Sequence, residues 1–323
     1  MAIAASGIDW LLDRTVVPGY TRLGYLLRRN WWPEDPPADV LRGRVVAVTG
    51  ANSGLGMATV AGAARLGAQV RMLCRSVERG NAARDDIARQ VPGADLEVDQ
   101  CDVSDLSALP DFAAALMSEV PRLHALVHNA GVLPPERTET ADGHELTLAT
   151  HVLGPHLLTQ LLRSSLAADG DGRVVFVASG GMYTQPLRID DPEYTHGEYS
   201  GTLAYARTKR MQVVLAQMWA RELRGDGVVV HSMHPGWADT PGVKHSLPAF
   251  HRFTRPMLRS VAEGADTVVW LVAAPEAGRT SGVFWHDRRP RPTTYAVLRR
   301  THAAPAEARA LWDYCVQATG LAA

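Results

Sequence analysis

The sequence predicts an α/β fold in which a doubly wound parallel sheet is flanked by helices on both faces. Three observations carry that prediction. Short apolar strands alternate with helix-length segments from residue 44 onward, the first strand runs into a glycine-rich turn that opens a helix, and a helix bearing Tyr205 and Lys209 follows a later apolar strand.

Taken in order, residues 1–43 form an opening arm. Trp10, Leu11, Leu12, Tyr20, Leu23 and Trp31 make it apolar and aromatic, while Pro18, Pro33, Pro36 and Pro37 break it, so two short helices and a proline-rich connector are expected. Arg22, Arg28 and Arg29 are interleaved with the aromatics. The arm therefore reads either as a strap packed across the main domain or as a surface that touches a membrane or a partner.

Val45–Val48 reads as a buried strand, followed by a small-residue helix from about Gly56 to Leu66. Gln69–Cys74 is the second strand and Val77–Gln90 a helix; Leu96–Val98 and Leu123–Val127 are strands around the helix Ser107–Glu119. A long helix near His144–Leu166 leads to the strand Val174–Ala178, then Leu203–Leu223 is a helix and Val228–His231 a strand. The catalytic unit is expected over 44–286. A C-terminal extension, 287–323, holds Arg288, Arg289 and Arg291 and a helix-like stretch with Leu311, Trp312 and Tyr314.

Bulk properties narrow the function classes. A chain of 323 residues, 46% hydrophobic and 21% charged, can bury a large core, and a net charge of −1 gives no reason to expect nucleic acid as partner. Three cysteines without CxxC spacing argue against a disulfide framework and suit a reducing, cytoplasmic setting. No apolar run reaches the ~18–20 residues of a membrane span, and no basic n-region marks a secretory signal. Without an HExxH or a GxSxG, neither a metal site nor an acyl-hydrolase elbow is expected.

The turn Thr49-Gly50-Ala51-Asn52-Ser53-Gly54-Leu55-Gly56 sits between strand and helix, the context that makes a glycine pattern a Rossmann-type dinucleotide site. Gly50 permits the tight turn, Gly54 lets backbone approach a pyrophosphate, and Gly56 allows the helix to pack closely on the strand, with the phosphates at the positive helix N-terminus. An acid at the end of the second strand would select NAD(H). Here Arg75 stands there instead and can fork onto a 2′-phosphate, which favours NADP(H) over NAD(H).

Tyr205 and Lys209 lie one helical turn apart on one face. Hydride addition to a carbonyl leaves an alkoxide that needs a proton donor, and an ammonium beside a phenol lowers the phenol's pKa from about 10. Only Lys209 and Lys244 are lysines among the 33 basic residues, so a lysine here is an unusual choice. Ser179 ends the apolar strand, where a hydroxyl can point into the ligand crevice and bond a substrate oxygen.

Together TGANSGLG (49–56), HNAG (128–131), Ser179 and YARTK (205–209) resemble the short-chain dehydrogenase/reductase family over roughly residues 44–286. HPGWADTPGV (234–243), SGGM (179–182) and the arm are similar to one particular branch of it. The resemblance implies a single domain with a seven-stranded parallel sheet, NADP(H)-linked interconversion of a carbonyl and an alcohol, and a dimer or tetramer unless the arm and C-terminal segment cover those surfaces. It assigns Asp102 and Val103 to the adenine, and Asn129, Ala130 and Gly131 to the cofactor wall. Pro235, Gly236 and Thr240 would stand over the nicotinamide, with Asn52, Ser53 and Leu55 in the phosphate turn and Lys209 on the nicotinamide ribose.

One position departs from the family. His151, in His151-Val-Leu-Gly154, stands where the family has an asparagine that holds a water behind the lysine. A histidine can bond a water and could titrate near neutrality, but it is bulkier. The substitution keeps open an alternative, a dinucleotide-binding scaffold or redox sensor with weak turnover. Met182–Leu203 reads as a substrate-pocket wall or a surface excursion, and Pro241–Leu258 as a lid or a plain helical hairpin. The apolar content of the second points to a moderately apolar small-molecule substrate.

Overall fold

The computed structural model describes residues 2–295 and 302–320, the side chains of 2–6 excepted. Met1 of the arm and residues 296–301 and 321–323 of the C-terminal extension lie outside the described residues. The arm contributes α1 (Ala2–Arg14), α2 (Val16–Tyr20) and α3 (Arg22–Arg29), three helices rather than two. Pro18 falls at the third position of α2, where the missing N–H breaks no helical bond, so it does not separate helices as the sequence suggests.

The alternating region follows as β1 (Val45–Thr49), α4 (Gly54–Arg65), β2 (Gln69–Cys74), α5 (Val77–Gln90), β3 (Asp95–Gln100), α6 (Leu109–Glu119) and β4 (Ala125–His128). The long helix expected near 144–166 is broken into α7 (Leu146–Leu148), a single π turn (Ala149–Leu153), α8 (Gly154–Leu161) and α9 (Arg163–Ala167). Pro155, which cannot donate to the preceding turn, is one physical cause of that break. Then come β5 (Arg173–Val177), α10 (Gly201–Glu222), β6 (Val229–Met233), α11 (Pro241–Ser246), α12 (Pro248–Thr254), α13 (Val261–Ala273), β7 (Val283–His286), β8 (Arg289–Arg291) and α14 (Pro305–Ala318).

The sheet has eight strands in the order β3-β2-β1-β4-β5-β6-β7-β8. Seven run parallel as expected; the eighth is a three-residue strand antiparallel to β7, with Pro290 opposite Trp285. A proline is tolerated there because β8 is an edge, and a polar three-residue strand leaves no apolar signature in sequence. Alternate strand residues feed two cores. Ala47, Leu126, Val174 and Phe176 pack under α6, α8 and α10 with Met211 and Trp219, whereas Val46, Val48, Val127 and Val175 pack under α4, α5 and α13 with Val60, Ile87 and Trp270. Strand order reverses between β1 and β4, so the loops after those two strands diverge and open a crevice at their C-terminal ends.

Polar chemistry ties the arm to the far end of this sheet. Arg28, almost wholly buried, donates from Nε to Asp9 (2.9 Å) and from Nη1 to Asp287 (2.8 Å) and the Gly19 carbonyl (2.8 Å). Asp287 also accepts from buried Arg259 (2.5 and 2.9 Å), and Arg291 forks onto Asp9 (2.9 and 2.8 Å). Burial raises the pKa of Asp9, but the bond to Arg291 and the charges of Arg291 and Arg28 outweigh it and hold the carboxyl at about 2. The same balance, with Arg259 and His286 as the main charges, holds Asp287 far below the carboxylate range.

Two outcomes follow. Asp287→Ala leaves Arg259 buried without an acidic partner and should lower unfolding stability by about 3–5 kcal/mol in urea titration. Asp9 contributes stability that is complete above its ordinary value of 3.8 and is lost as pH falls through about 2, so Asp9→Asn should flatten the acid limb of a stability–pH curve between those values.

Candidate active site

The crevice is a cleft of about 910 Å³ that runs from the glycine-rich turn to α10 and the Pro235–Phe250 segment. The turn exists because β1 and β4 are stitched at the point where they diverge. Asn129 Nδ2 donates to the carbonyls of Thr49 (2.9 Å) and Gly50 (3.2 Å), and Thr49 Oγ1 accepts from the N–H groups of Asn129 and Ala130, both at 3.0 Å. Gly56 faces this junction: a Cβ there would lie 2.3 Å from the Gly50 carbonyl oxygen and 2.5 Å from Asn129 Nδ2. Its part is close packing of α4, and it does not line the cleft.

The other phosphate-turn residues, Gly50, Asn52, Ser53, Gly54 and Leu55, do line it. Gly50 and Gly54 hold φ of +63° and +53°, and Ser53 makes no side-chain cap, so the first N–H groups of the twelve-residue helix α4 face the cleft. Arg75 and Asp102 stand at the end of this wall, with Arg75 Nη1 3.8 Å from the Asp102 carboxylate, and Val103 beside them. Asp102 Oδ1 accepts from the N–H and hydroxyl of Ser104 (3.0 and 2.7 Å), which fixes the loop after β3. Arg79, on the first turn of α5, adds a second guanidinium to the same corner. Sequence reasoning missed it, although its place one turn beyond Arg75 was a usable signal. A helix N-terminus and a glycine cradle fit the pyrophosphate of a nicotinamide dinucleotide, and two guanidinium groups stand beyond them.

Ser179, Tyr205 and Lys209 meet at the opposite wall. Ser179 follows β5, and its Oγ accepts from Gly181 N–H (3.2 Å). Burial pushes the Tyr205 phenol above its ordinary 10, and the Ser179 hydroxyl bond pulls it part of the way back. Lys209 Nζ lies 5.4 Å from the Tyr205 ring centroid and donates to the Val177 carbonyl (2.8 Å) and Gln212 Oε1 (2.9 Å). Burial lowers Lys209 from 10.5 to about 7. The lowering of the phenol by a neighbouring ammonium, expected from the sequence, is not found: burial raises the phenol, and what opposes it is the Ser179 hydroxyl. Gln212 escaped notice because a glutamine three residues past a lysine carries no signal of its own.

His151 does not line the cleft. It sits in the π turn, wholly buried, its ring edge-on to Tyr205 with centroids 5.4 Å apart. Nε2 accepts from Val132 N–H (3.0 Å), which leaves the proton on Nδ1 to donate to Thr208 Oγ1 (2.8 Å). Burial, with a smaller push from the Lys209 charge, takes its pKa well below 6.5. It is therefore a neutral ring with both nitrogens held by protein, and it does not titrate near neutrality. Ala130, Gly131, Pro235, Gly236 and Thr240 all reach the cleft, and Thr240 Oγ1 caps α11 at Val243 N–H (3.2 Å).

Of Met182–Leu203 only Thr184 and Thr202 line the cleft; Met182, Tyr183, Leu187 and Tyr194 are buried away from it, and Glu193 accepts from His144 (2.7 Å) and Glu145 N–H (2.8 Å). Pro241–Leu258 forms α11, α12 and a short 3₁₀ turn, and its Val243, His245, Leu247 and Phe250 face the cleft. The arm, read from the sequence as a strap across the main domain or as an outward surface, also reaches this region. Trp237 N–H donates to the Tyr20 carbonyl (2.8 Å), and the Tyr20 ring lies where a side chain on Gly180 would be, 2.6 Å from the nearest ring carbon.

The fold and this two-ended cleft define a dinucleotide-binding α/β protein. Residues 44–249 match the short chain dehydrogenase family, and the chain belongs to it. The branch suggested by the arm and the 234–243 motif is also met. Dehydrogenase/reductase SDR family member 12 of Bos taurus is 40% identical over 290 residues, covering 89% of this chain and 90% of that protein. Retinol dehydrogenase 12 of Bos taurus is 33% identical, covering 87% and 88%. A solved protein of uncharacterised function from Mycobacterium paratuberculosis superposes with a TM-score of 0.70 at 28% identity, covering 88% and 96%.

Gly56→Ala should force the α4–β1 junction apart, with a stability loss of about 1–3 kcal/mol. A melting curve together with a dinucleotide fluorescence titration would register both that loss and weaker binding; an unchanged melt would mean the junction yields more easily than its distances indicate.

Proposed function

We propose that the protein interconverts a carbonyl and an alcohol on a moderately apolar small molecule, with NADP(H) as the hydride partner and NAD(H) the poorer one. The observation that carries this reading is the meeting of Ser179, Tyr205 and Lys209 on one wall of the cleft whose other end is the glycine cradle. The nicotinamide would supply or take the hydride at the carbonyl carbon. Ser179 Oγ–H donates to the carbonyl oxygen as negative charge grows there, and Tyr205 Oη gives it the proton. A phenol held above 10 is protonated at neutral pH, the state a donor needs.

Lys209 spends two of its three N–H bonds on Val177 and Gln212. The third is left for the cleft, where it can hold a ribose hydroxyl and stabilise the phenolate until a proton returns from solvent. The paired guanidinium groups of Arg75 and Arg79 support the choice of NADP(H) through charge-assisted contacts to a 2′-phosphate. The name of the relative retinol dehydrogenase 12 agrees with an apolar alcohol, as do Leu133, Leu146, Leu247 and Phe250 in the cleft wall. The three buried free cysteines support a reducing, cytoplasmic setting.

NADPH consumption against aldehydes, ketones, quinones and steroid-like carbonyls tests the reading. Tyr205→Phe should keep NADPH binding while turnover falls by about 10²–10⁴. Binding without turnover on every compound would favour the scaffold or sensor instead. Separately, Arg75→Ala with Arg79→Ala should weaken NADPH by at least about a hundredfold and leave NADH nearly unchanged, since each lost charge-assisted bond is worth about 1.5–3 kcal/mol. Equal losses for both dinucleotides would remove the argument for NADP(H).

A further inference from the structure

The helices of the arm are inside out. On α1 the residues turned toward the protein are Asp9, Leu12 and Asp13, and those turned to solvent are Ile8, Trp10 and Leu11. Val16 and Val17 of α2 and Leu23 and Leu26 of α3 are exposed as well, each by more than two-fifths. Of the ten large apolar side chains that stand exposed among the described residues, these account for seven, and Phe253 and Met257 in the Pro241–Leu258 segment for two more. Scattered single exposures are ordinary, but nine on two segments are a surface with a purpose.

Charge sorts the same way. The two acids of α1–α3, Asp9 and Asp13, are buried against Arg28, Arg291 and Tyr295, while the exposed charges of those helices are Arg14, Arg22 and Arg29. Residues 241–258 contain no acid at all, and Lys244, Arg252 and Arg255 are exposed there. The two segments adjoin: Trp237 bonds Tyr20 of the arm and meets Phe250 of α12 edge-on at 5.1 Å, and Arg22 pairs with Glu263 at 3.0 Å. Apolar residues with aromatics, whose two segments expose cations while the neighbouring acids Glu263 and Asp239 are paired to Arg22 and His251, are the composition that enters the headgroup boundary of an anionic bilayer.

We propose that the arm and the Pro241–Leu258 segment dock together on an anionic lipid surface. Trp10, Leu23 and Phe253 enter the boundary, and Arg14, Arg29 and Arg252 face the lipid phosphates. Phe250 lines the cleft and Phe253, one turn on, is four-fifths exposed, so a single short helix separates the cleft from the lipid. Docking would bring the cleft to the phase in which an apolar carbonyl or alcohol collects. The surface argument does not depend on the catalytic reading and is tested without turnover.

The experiment is co-sedimentation of the full chain with phosphatidylcholine vesicles, with and without phosphatidylserine. Deleting the arm would uncover the buried Arg28, Asp287 and Arg259 cluster, so point variants at exposed positions are used, with melting curves as the folding control. The wild type should sediment with phosphatidylserine vesicles and be released by salt. Trp10→Asp with Phe253→Asp should cut partitioning at least tenfold at an unchanged melt. Arg29→Gln should reduce it about fivefold on the anionic vesicles alone, one arginine near such a surface being worth that factor. Absence of sedimentation with either lipid, or sedimentation indifferent to the aspartate pair, would overturn the proposal. A lipid-independent dimer broken by the same pair would assign the surface to a second copy of the chain.

Discussion

The stitch between Thr49 and Asn129 is the contact on which the site depends. Strand order reverses between β1 and β4, and the backbone leaving each strand must turn away from the other, exposing carbonyls and N–H groups in a crevice. Thr49 and Asn129 satisfy those groups with side chains, each bridging to the other's strand end. With the junction closed in this way, α4 can start close to β1, its free N–H groups face the cleft, and every other cleft residue is placed relative to that origin. Gly56 is constrained by the same contact, since any larger residue would press on the carbonyl that Asn129 holds.

A second polar knot fixes the other rim. Three buried ions in sequence, Arg28, Asp287 and Arg259, span the arm, the end of β7 and the loop before α13. Burying them is costly, and hydrophobic residues of similar volume would often be as stable. What the ions add is direction. Arg259 donates to the carbonyls of Gly19, Thr21 and Pro235, which locks the arm to the Pro235–Trp237 loop in one register. The same choice turns Asp9 and Asp13 of α1 inward and leaves Ile8, Trp10 and Leu11 outside, so the exposed surface of the arm follows from how the arm is held.

Much of this was legible in the sequence, for identifiable reasons. The parallel strands announce themselves because both faces are covered, giving unbroken apolar runs such as Val174–Val177, and the motif residues were readable because turn and helix spacing dictates their geometry. Position β8 was not, because three polar residues with a central proline have no strand signature. The break of the 144–166 helix had a signal in Pro155, whose missing N–H interrupts the ladder, but the apolar pattern continues across it and reads as one helix. Contacts distant in sequence, such as Tyr20 on Gly180 and Arg259 on Gly19, leave no periodic trace at all. The mixed reading of the arm reflected its physics, for an arm with charges inside and tryptophan outside fits neither an ordinary packed helix nor a spanning one.

His151 shows how a departure from a family pattern can be absorbed. Desolvation acts in opposite senses on the groups around it, keeping the Tyr205 phenol protonated and drawing Lys209 toward neutrality. A charged imidazole beside Lys209 would push the lysine further down. The surroundings prevent this: Val132 N–H demands a lone pair on Nε2, and Thr208, whose own hydroxyl hydrogen goes to the carbonyl of Ala204 or Tyr205, takes the remaining proton as acceptor. The ring is confined to one neutral tautomer, as uncharged as the asparagine it replaces. Two acceptors, Val177 and Gln212, meanwhile oppose the burial of the ammonium from the other side. In this arrangement the task of steadying Lys209 falls to Gln212 and the strand carbonyl, and His151 is left to hold the Val132 loop at the floor of the cleft.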